Sequence, residues 1–244
     1  GKTTFSGMRD YNPIAQAVCH LENDSNGVSR KLYGLGYGSV IITNQHLFKE
    51  NNGVLRIKTH HGEYVCPNTT SLNMFPVEGC DVLVIQMPKD FVPFPRRLRF
   101  RQTKPGERVC MVGSNFQTKS ISSVVSESSA TTRVNSSNFY KHWISTKDGQ
   151  CGNPIVSPKD GCIVGIHSLA SLVSDMNMYT GFTDTFEVDV ISKLDSLDWT
   201  KRWKLNLDKA NWGPLNMQSD TPKDDCFKLS KSVFDLAEDL FKFQ

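Results

Sequence analysis

Cys151 lies in the stretch KDGQCGNP, residues 147–154, flanked by glycines and followed by a proline and an apolar segment. A thiol that attacks a carbonyl carbon needs a base, a group that holds the base, and N–H donors where the oxyanion forms. Glycines favour such a site because they tolerate backbone angles that turn successive N–H groups toward one point. We therefore expect Cys151 to be a nucleophile, with the N–H groups of Gly149 and Cys151 forming an oxyanion hole.

A histidine and an aspartate stand where the base and its partner are needed. His46 follows the apolar run SVIITNQ, and Asp81 opens the apolar run DVLVIQM. The gaps are 35 residues from His46 to Asp81 and 70 from Asp81 to Cys151. This order is that of proteases built from two β-barrels. Each residue alone has an ordinary structural interpretation, as a strand-end histidine, a turn aspartate or a buried cysteine. Together they predict a Cys–His–Asp triad.

The segment GIHS, residues 165–168, follows the nucleophile at the distance of a returning hairpin. In a chymotrypsin-like second barrel, such a strand lines the pocket for the residue before the cut bond. His167 and Thr146 could each form a hydrogen bond with a side-chain amide there. A buried pocket with two such contacts would select Gln strongly. Asp148 either shapes this pocket or closes the turn before Cys151.

The segments between Leu32 and Phe182 are short and apolar, with turn residues between them, which is typical of a sandwich or of barrels. We predict an all-β, chymotrypsin-like fold with two antiparallel β-barrels, a short helix and a C-terminal tail. The barrels are expected at 1–117 and 118–214, and a flexible or loosely docked tail at 215–244. The predicted strands lie in GYGSVIITNQ, GVLRIKTHHGEYVC (a hairpin), CDVLVIQMP, ERVCMVGSNFQ, SISSVVSES, NFYKHWIST, NPIVS, GCIVGIHSLAS and MYTGFTDTF.

Three further segments have less regular patterns. The polar stretch 118–137 is either the crossing between the two halves or a polar edge strand. Residues 186–200 have helical spacing, with Val190, Leu194 and Leu197 near one face. The last fifteen residues, SKSVFDLAEDLFKFQ, also have helical spacing, and they form either a docked helix or a disordered tail.

Composition excludes several classes. Apolar residues make up 38% of 244 positions, and no apolar run approaches the length of a membrane span, so we expect no membrane partner. The seven cysteines are odd in number and none forms a CxxC pair, which favours a reducing compartment, cytosol or nucleus. We expect no cofactor and no metal, since His60 and His61 are adjacent and lack a ligand set. The formal charge of +3 permits nucleic-acid contact without arguing for it.

The segments TNQHLF, EGCD, NFQTKS, KHWISTKDGQCGNP and IVGIHS resemble the nuclear inclusion a proteases of potyviruses, from about residue 8 to residue 213. The resemblance implies a chymotrypsin-like cysteine endopeptidase that cuts a viral polyprotein after Gln and before a small residue, through a thioester. It implies His46, Asp81 and Cys151 as the triad, and Thr146, Asp148 and His167 as the pocket for Gln. Two departures are Cys80, where the family often has Arg, and the stretch 168–182, which differs from a well-known member and leaves the preferred upstream residues open.

The resemblance carries further expectations about partners. A protease that frees itself from a polyprotein by cutting after Gln would leave ends such as Gly1 and Gln244, and Gln244 could stay in its own active site as bound product. We also expect slow self-cleavage between Gln218 and Ser219, a Gln–small pair in a polar segment. The family implies weak nonspecific RNA binding, and activity in the cytoplasm and nucleus of an infected plant cell.

Three hypotheses from other classes compete with the protease. An RNA-binding module would use PRRLRFR, where Arg97, Arg99 and Arg101 would share one strand face, although a solvated strand face is the favoured explanation of that pattern. An inactive scaffold with a protease fold is disfavoured because every triad position is filled. A glutamine-hydrolysing amidase is disfavoured because the sequence lacks an α/β alternation.

Overall fold

The computed structural model describes residues 9–48, 53–77, 79–114, 123–197 and 241–244. The strands of these residues form two sheets, one of seven strands and one of nine, in which neighbouring strands are antiparallel. The prediction of an all-β fold with two antiparallel halves and a short helix is confirmed. Within the described ranges, none of the helices has both the length and the apolar character that crossing a membrane requires.

The first sheet has the strand order β5-β4-β1-β2-β3-β7-β6. It follows a short helix, α1 (Asn12–Ala17), which has Pro13 in its first turn. The strands are β1 (Val18–Ser25), β2 (Val28–Tyr37), β3 (Val40–Thr43), β4 (Val54–Thr59), β5 (Gly62–Cys66), β6 (Asn73–Val77) and β7 (Val82–Gln86), with 3₁₀ turns at Gln45–Phe48 and Thr69–Ser71.

The second sheet has the order β10-β8-β13-β14-β15-β12-β11, with β9 beside β8 and β16 beside β14. A π-helical turn, Glu187–Ile191, runs into α2 (Ser192–Ser196), as the helical spacing at 186–200 predicted. The strands are β8 (Arg108–Ser114), β9 (Ser123–Val125), β10 (Ser129–Ala130), β11 (Thr132–Arg133), β12 (Phe139–His142), β13 (Pro154–Val156), β14 (Ile163–Ser171), β15 (Asn177–Gly181) and β16 (Phe241–Phe243).

The continuous apolar runs of β3 and β7 have a simple cause. Alternate side chains of a strand point to opposite faces, and both faces of these two strands are buried. Ile41 and Leu83 pack inside the first sheet, whereas Ile42 and Val84 pack with residues of the second sheet and of the helix near Val190. These runs therefore mark the interface between the two halves, where the site residues also lie.

The boundary predicted between residues 117 and 118 is wrong. β8 (Arg108–Ser114) pairs with β13 of the second sheet, so the chain passes between the sheets after β7 ends at Gln86 and before Arg108. The polar stretch 118–137 holds edge strands rather than the crossing, in the part that the structure describes. Local patterns show where a strand lies but not which sheet it joins, because pairing is set by contacts distant in sequence.

The C-terminal segment also departs from its pattern. Helical spacing suggested a docked helix or a disordered tail, but Phe241–Phe243 forms a strand that pairs with β14. The predicted self-cleavage pair, Gln218 and Ser219, lies outside the described residues, as does the remainder of the segment from 198 to 240.

The proposed arginine face of PRRLRFR forms in part, because Arg97 and Arg99 are exposed while Leu98 and Phe100 are buried. None of the named strands covers residues 95–101, and Arg101 turns into a network with Glu107 and Asp160 at N–O distances of 2.6 and 2.7 Å. Burial opposes the charges, but hydrogen bonds from Arg101 hold the pKa of Glu107 below its usual range and that of Asp160 at about 2. Arg101 is therefore committed to the fold, which weakens the RNA-binding hypothesis.

Replacing Arg101 with Met is expected to lower the free energy of unfolding by about 3–5 kcal/mol, because it leaves the Glu107 carboxylate buried without its partner. The Glu107 side chain is only 5% exposed. Urea unfolding monitored by tryptophan fluorescence measures the change. Arg56→Met is the matched control, since its pair with Asp24 is 46% and 36% exposed and should be worth at most about 1 kcal/mol.

The loss in the free energy of unfolding caused by Arg101→Met should depend on pH. Both carboxyl groups have depressed pKa values when folded. Their contribution is therefore complete above the ordinary carboxyl pKa of about 4 and is lost as the pH falls through the folded values. The stability difference between the wild type and Arg101→Met should narrow from pH 5 to pH 2. An unchanged difference across that range would contradict the assignment of the stability to this ion network.

Candidate active site

His46 and Asp81 meet because β3 and β7 are antiparallel neighbours. Thr43, at the end of β3, pairs with Leu83 near the start of β7, so the residues just beyond these strands face each other. His46 lies in the 3₁₀ turn after β3, and its Nδ1 is 2.6 Å from Oδ2 of Asp81. The two side chains are 5% and 0% exposed. Asp81 therefore holds His46 with Nε2 as the nitrogen left for a reacting group.

The Asp81 carboxylate is surrounded by donors. Its Oδ1 accepts from the backbone N–H of His46 at 3.1 Å. Its Oδ2 accepts from the Ser168 hydroxyl at 2.5 Å and from Nδ2 of Asn44 at 3.2 Å. Several charge-assisted hydrogen bonds can satisfy a buried carboxylate that would otherwise be costly to desolvate. Asn44 also donates to the carbonyl of His167 at 3.1 Å, so one amide joins the two sheets at the site.

The turn that carries Cys151 is fixed from both sheets. The Cys151 carbonyl accepts from Tyr33 N–H on β2 at 2.8 Å, and Gly152 N–H donates to the His167 carbonyl on β14 at 2.9 Å. Gly152 has a φ of +85°, and a Cβ there would lie 1.8 Å from the Tyr33 carbonyl oxygen. Only glycine fits this position, which explains the glycine after the nucleophile.

The Cys151 thiol is fully buried and donates to the Ser168 carbonyl at 2.9 Å. Burial, reinforced by the negative charge of Asp81, raises the pKa of the Cys151 thiol well above its usual value. In this state the sulfur rests as a thiol, and a base must remove its proton before attack.

Gln244 occupies the predicted pocket. Its side-chain Oε1 lies 2.7 Å from Nε2 of His167 and 2.5 Å from the Thr146 hydroxyl, both of which donate to it. Its backbone carbonyl accepts from Gly149 N–H at 2.5 Å. The second predicted oxyanion donor, the N–H of Cys151, makes no hydrogen bond to that oxygen among the described residues. Burial lowers the pKa of His167 to about 4, so its ring is neutral at physiological pH.

The residues before Gln244 extend along β14 as a strand. Phe243 pairs with Leu169 and Lys242 with Ala170, and Gln244 N–H donates to the Ser168 carbonyl at 3.3 Å. The Phe243 ring stacks on His46 with a centroid distance of 4.5 Å. The Lys242 ammonium lies 2.7 Å from the Asp148 carboxylate. Asp148 thus contacts the residue two before Gln rather than the Gln side chain.

Upstream of these residues, Phe241 lies against an apolar patch. The patch contains Phe139, Leu169 and Met178. Phe241 is half-buried there, while its backbone pairs with Ser171. The segment FKFQ is therefore held by backbone pairing along its length and by one pocket at each end.

The structure places Thr146, His167 and Gly149 in contact with Gln244, and His46 in contact with Asp81 and with the Phe243 ring. The catalytic roles of His46, Asp81 and Cys151 stay predictions. Sequence reasoning missed the roles of Asn44, Ser168 and His142. Asn44 lies two residues before His46, Ser168 follows His167, and His142 lies four residues before Thr146. This proximity was the available signal, but polarity alone does not specify a partner. Among the described residues, no group of three or more His, Cys, Asp or Glu side chains lies together as a metal site.

The chain matches the family model of peptidase family C4 over residues 1–234. It is 53% identical over 232 residues to the genome polyprotein of turnip mosaic virus (strain Japanese), covering 95% of this chain and 7% of that polyprotein. The chain thus spans only a small part of the curated relatives it matches.

Solved structures agree with this assignment. Tobacco etch virus protease in complex with product is 47% identical, with a TM-score of 0.75 over 86% of this chain and 92% of that one. Tobacco vein mottling virus protease is 51% identical, with a TM-score of 0.76 over 87% of this chain and 97% of that one. These matches confirm the chymotrypsin-like fold and the resemblance stated from the motifs. The chain belongs to peptidase family C4, and it is a cysteine endopeptidase.

Proposed function

We propose that this endopeptidase cleaves a viral polyprotein after Gln and before a small residue, and that Phe-Lys-Phe-Gln is a sequence it accepts before the cut bond. The observation that carries the proposal is the position of Gln244. Its amide oxygen lies against His167 and Thr146, while its carbonyl faces Gly149 N–H next to the turn of Cys151. A cleaved product would leave its last residue in this position.

The contacts support selection of Gln at this position. The His167 ring is fully buried, and Thr146 is partly buried at the same oxygen. Two donors aimed at one amide oxygen remain unpaired when the substrate side chain lacks that acceptor. A site that hydrogen-bonds a substrate group can reject analogues without it by roughly 10⁴-fold.

The residues upstream of Gln are recognised as an added strand beside β14. An extended peptide gains affinity from main-chain hydrogen bonds along an open strand and specificity from pockets for its side chains. Phe243 against His46, and Phe241 against the patch around Phe139, support apolar side chains at the positions directly before Gln and three before it. Lys242 pairs with an exposed Asp148, which supports only a modest preference for a basic residue.

The proposed reaction begins with transfer of the Cys151 proton to Nε2 of His46, whose Nδ1–H is held by Asp81. The thiolate attacks the Gln carbonyl carbon, and the oxygen takes up negative charge next to Gly149 N–H. The amide C–N bond then breaks, the leaving amine takes the proton from His46, and a thioester remains. Water, deprotonated by His46, hydrolyses the thioester and restores the thiol.

We further propose that the chain releases itself from its polyprotein by cutting after Gln244, and that it acts in the cytoplasm and nucleus of the infected plant cell. The position of FKFQ in the site supports self-release. The free thiols of the described cysteines are compatible with the reducing environment of the cytoplasm and nucleus. Weak nonspecific RNA binding, and cleavage at Gln218, stay predictions.

A peptide series tests the cleavage specificity. Peptides containing FKFQ followed by Ser, Gly, Lys or Pro, and versions with Gln changed to Glu or Asn, are incubated with the full chain, and mass spectrometry locates each cut. We expect cleavage only after Gln and fastest before Ser and Gly. Cleavage at another residue, or equal rates for Gln and Asn, would contradict the proposal.

Replacing Gln244 with Ala is expected to lower the apparent KM for such a peptide by at least about threefold, because a tethered product competes with substrate at a high effective concentration. Steady-state kinetics with the FKFQ–Ser peptide measures this. Lys242→Ala is the matched control within the same segment, and the loss of its exposed pair should change KM less. An unchanged KM in Gln244→Ala would mean that the C-terminal segment does not occupy the site in solution.

A further inference from the structure

His142 lies directly behind the pocket, although it does not contact Gln244. It ends β12 and is fully buried, and its Nε2 is 3.2 Å from Nδ1 of His167. The two rings meet edge-on at a centroid distance of 5.3 Å. His167 therefore has its Nε2 on the substrate amide and its Nδ1 on His142. A role for His142 at this pocket rests on the proposed recognition of Gln.

The backbone fixes where the protons of this pair lie. Ile144 N–H donates to Nδ1 of His142 at 3.2 Å, so this nitrogen must be an acceptor. The Ile144 backbone is also fixed on its other side, because the Ile144 carbonyl accepts from Asn177 Nδ2 at 2.7 Å. A neutral His142 with an accepting Nδ1 carries its proton on Nε2. It then donates to His167 Nδ1, which leaves the single proton of His167 on Nε2, facing the Gln oxygen.

The same arrangement opposes a charged His167. A second proton on Nδ1 of His167 would point at the N–H of His142, so two donors would face each other. Burial, and then the neighbouring His167, lower the pKa of His142 well below its usual value, which keeps His142 neutral. Of the groups that act on His167 electrostatically, His46 opposes its protonation and Asp81 favours it.

We propose that His142 is a positioning residue that directs the proton of His167 toward the substrate and keeps that ring neutral, so that the pocket selects the amide of Gln over the carboxylate of Glu. A neutral donor satisfies an amide oxygen. It does not compensate the charge of a buried carboxylate, which is costly to desolvate. Without His142, His167 can place its proton on either nitrogen or take up a second one. The first change weakens Gln binding and the second improves Glu binding.

The test compares peptides containing FKFQ–Ser and FKFE–Ser in the full chain and three variants. His142→Phe removes the donor and keeps a ring. His142→Gln restores an N–H donor on a side chain of similar reach. His60→Phe is the matched control, because His60 bonds to Ala15 and Ser114 away from the pocket. The readout is the ratio of kcat/KM for Gln to kcat/KM for Glu, which is independent of the fraction of folded enzyme.

We expect His142→Phe to lower this ratio at least about tenfold, the equivalent of about 1.4 kcal/mol, with the loss for Gln mainly in KM. His142→Gln should recover most of the ratio, and His60→Phe should leave it within about twofold. A ratio unchanged in His142→Phe would overturn the proposal. If the wild type cuts neither peptide, the proposed function itself is contradicted. If the wild type cuts after Gln and the His142 variants discriminate Gln from Glu equally well, only the role of His142 is contradicted.

A second measurement tests the proposal even if the His142→Phe variant does not fold, because it uses the wild type alone. Long-range ¹⁵N–¹H correlation spectra of the wild type report which ring nitrogen of each histidine carries the proton. We expect His167 to carry it on Nε2 and to have an unprotonated Nδ1. A proton on Nδ1 of His167 would overturn the proposal whatever the variants do.

Discussion

Cys151→Ala is expected to abolish cleavage after Gln, with a fall in kcat of roughly 10⁶-fold, the scale of losing the nucleophile from a triad enzyme. The sulfur is the atom that bonds to the substrate carbonyl, and the neighbours that could orient water remain unchanged. The measurement is the rate of product formation from the FKFQ–Ser peptide. Truncation to alanine removes the hydrogen bond of the thiol to the Ser168 carbonyl. It keeps the turn, because the Cys151 carbonyl still accepts from Tyr33 N–H on β2.

Cys19→Ala is the matched control for this substitution. Cys19 is as completely buried as Cys151 and belongs to the same apolar cluster, but it lies within β1, opposite Gly34 of β2. We expect its variant to lose stability and to keep the wild-type kcat. Cleavage after Gln by Cys151→Ala at a rate within tenfold of the wild type would exclude Cys151 as the nucleophile.

Asp81→Asn is expected to lower kcat roughly 10⁴-fold, because an amide in place of the carboxylate favours the wrong tautomer of the base. Asp81 Oδ2 accepts the proton on His46 Nδ1 at 2.6 Å. An Asn placed with its amide toward His46 would donate there instead, which would move the imidazole proton to Nε2 and remove its ability to accept the thiol proton. The pH–rate profile and single-turnover rates of the variant measure this effect.

Ser168→Ala tests whether Asp81 acts on the tautomer of His46 or only supports the fold of the site. It removes the 2.5 Å hydrogen bond to the same Oδ2 without altering the charge. A hydrogen bond to a charged group is worth about 1.5–3 kcal/mol, so we expect a loss of roughly 10–100-fold. If Asp81→Asn costs no more than Ser168→Ala, the carboxylate serves the fold of the site and not the tautomer of His46.

The strands and the triad could be predicted because their signals are local. The runs VIIT and VLVIQ are apolar on both faces, and His46 and Asp81 stand at the ends where a polar residue is otherwise unexpected. The glycine after Cys151 is required because the Tyr33 carbonyl lies so close to Gly152 that no side chain fits there. Assignment of the Gln pocket also depended on the family resemblance, because a histidine in an apolar strand has by itself an ordinary structural interpretation.

The errors came from partners distant in the sequence. β8 was placed in the wrong half because its pattern does not encode its pairing with β13. Arg101 was placed on an exposed face because a strand-like alternation does not reveal that Glu107 and Asp160 lie beside it. For Asp148 the sequence left two roles open, the Gln pocket and the turn before Cys151, and in the structure its carboxylate reaches Lys242.

Residue types and their order thus determined an all-β chain with a nucleophilic cysteine, a base and an acid on two antiparallel halves. Tertiary structure alone decided which ring nitrogen of His142 and of His167 carries the proton. These positions depend on contacts of His142 with Ile144 N–H and with His167 on another strand. It also decided that FKFQ is a strand. The segment has helical spacing, but an extended peptide beside β14 gains backbone hydrogen bonds and two pockets that a helix could not fill.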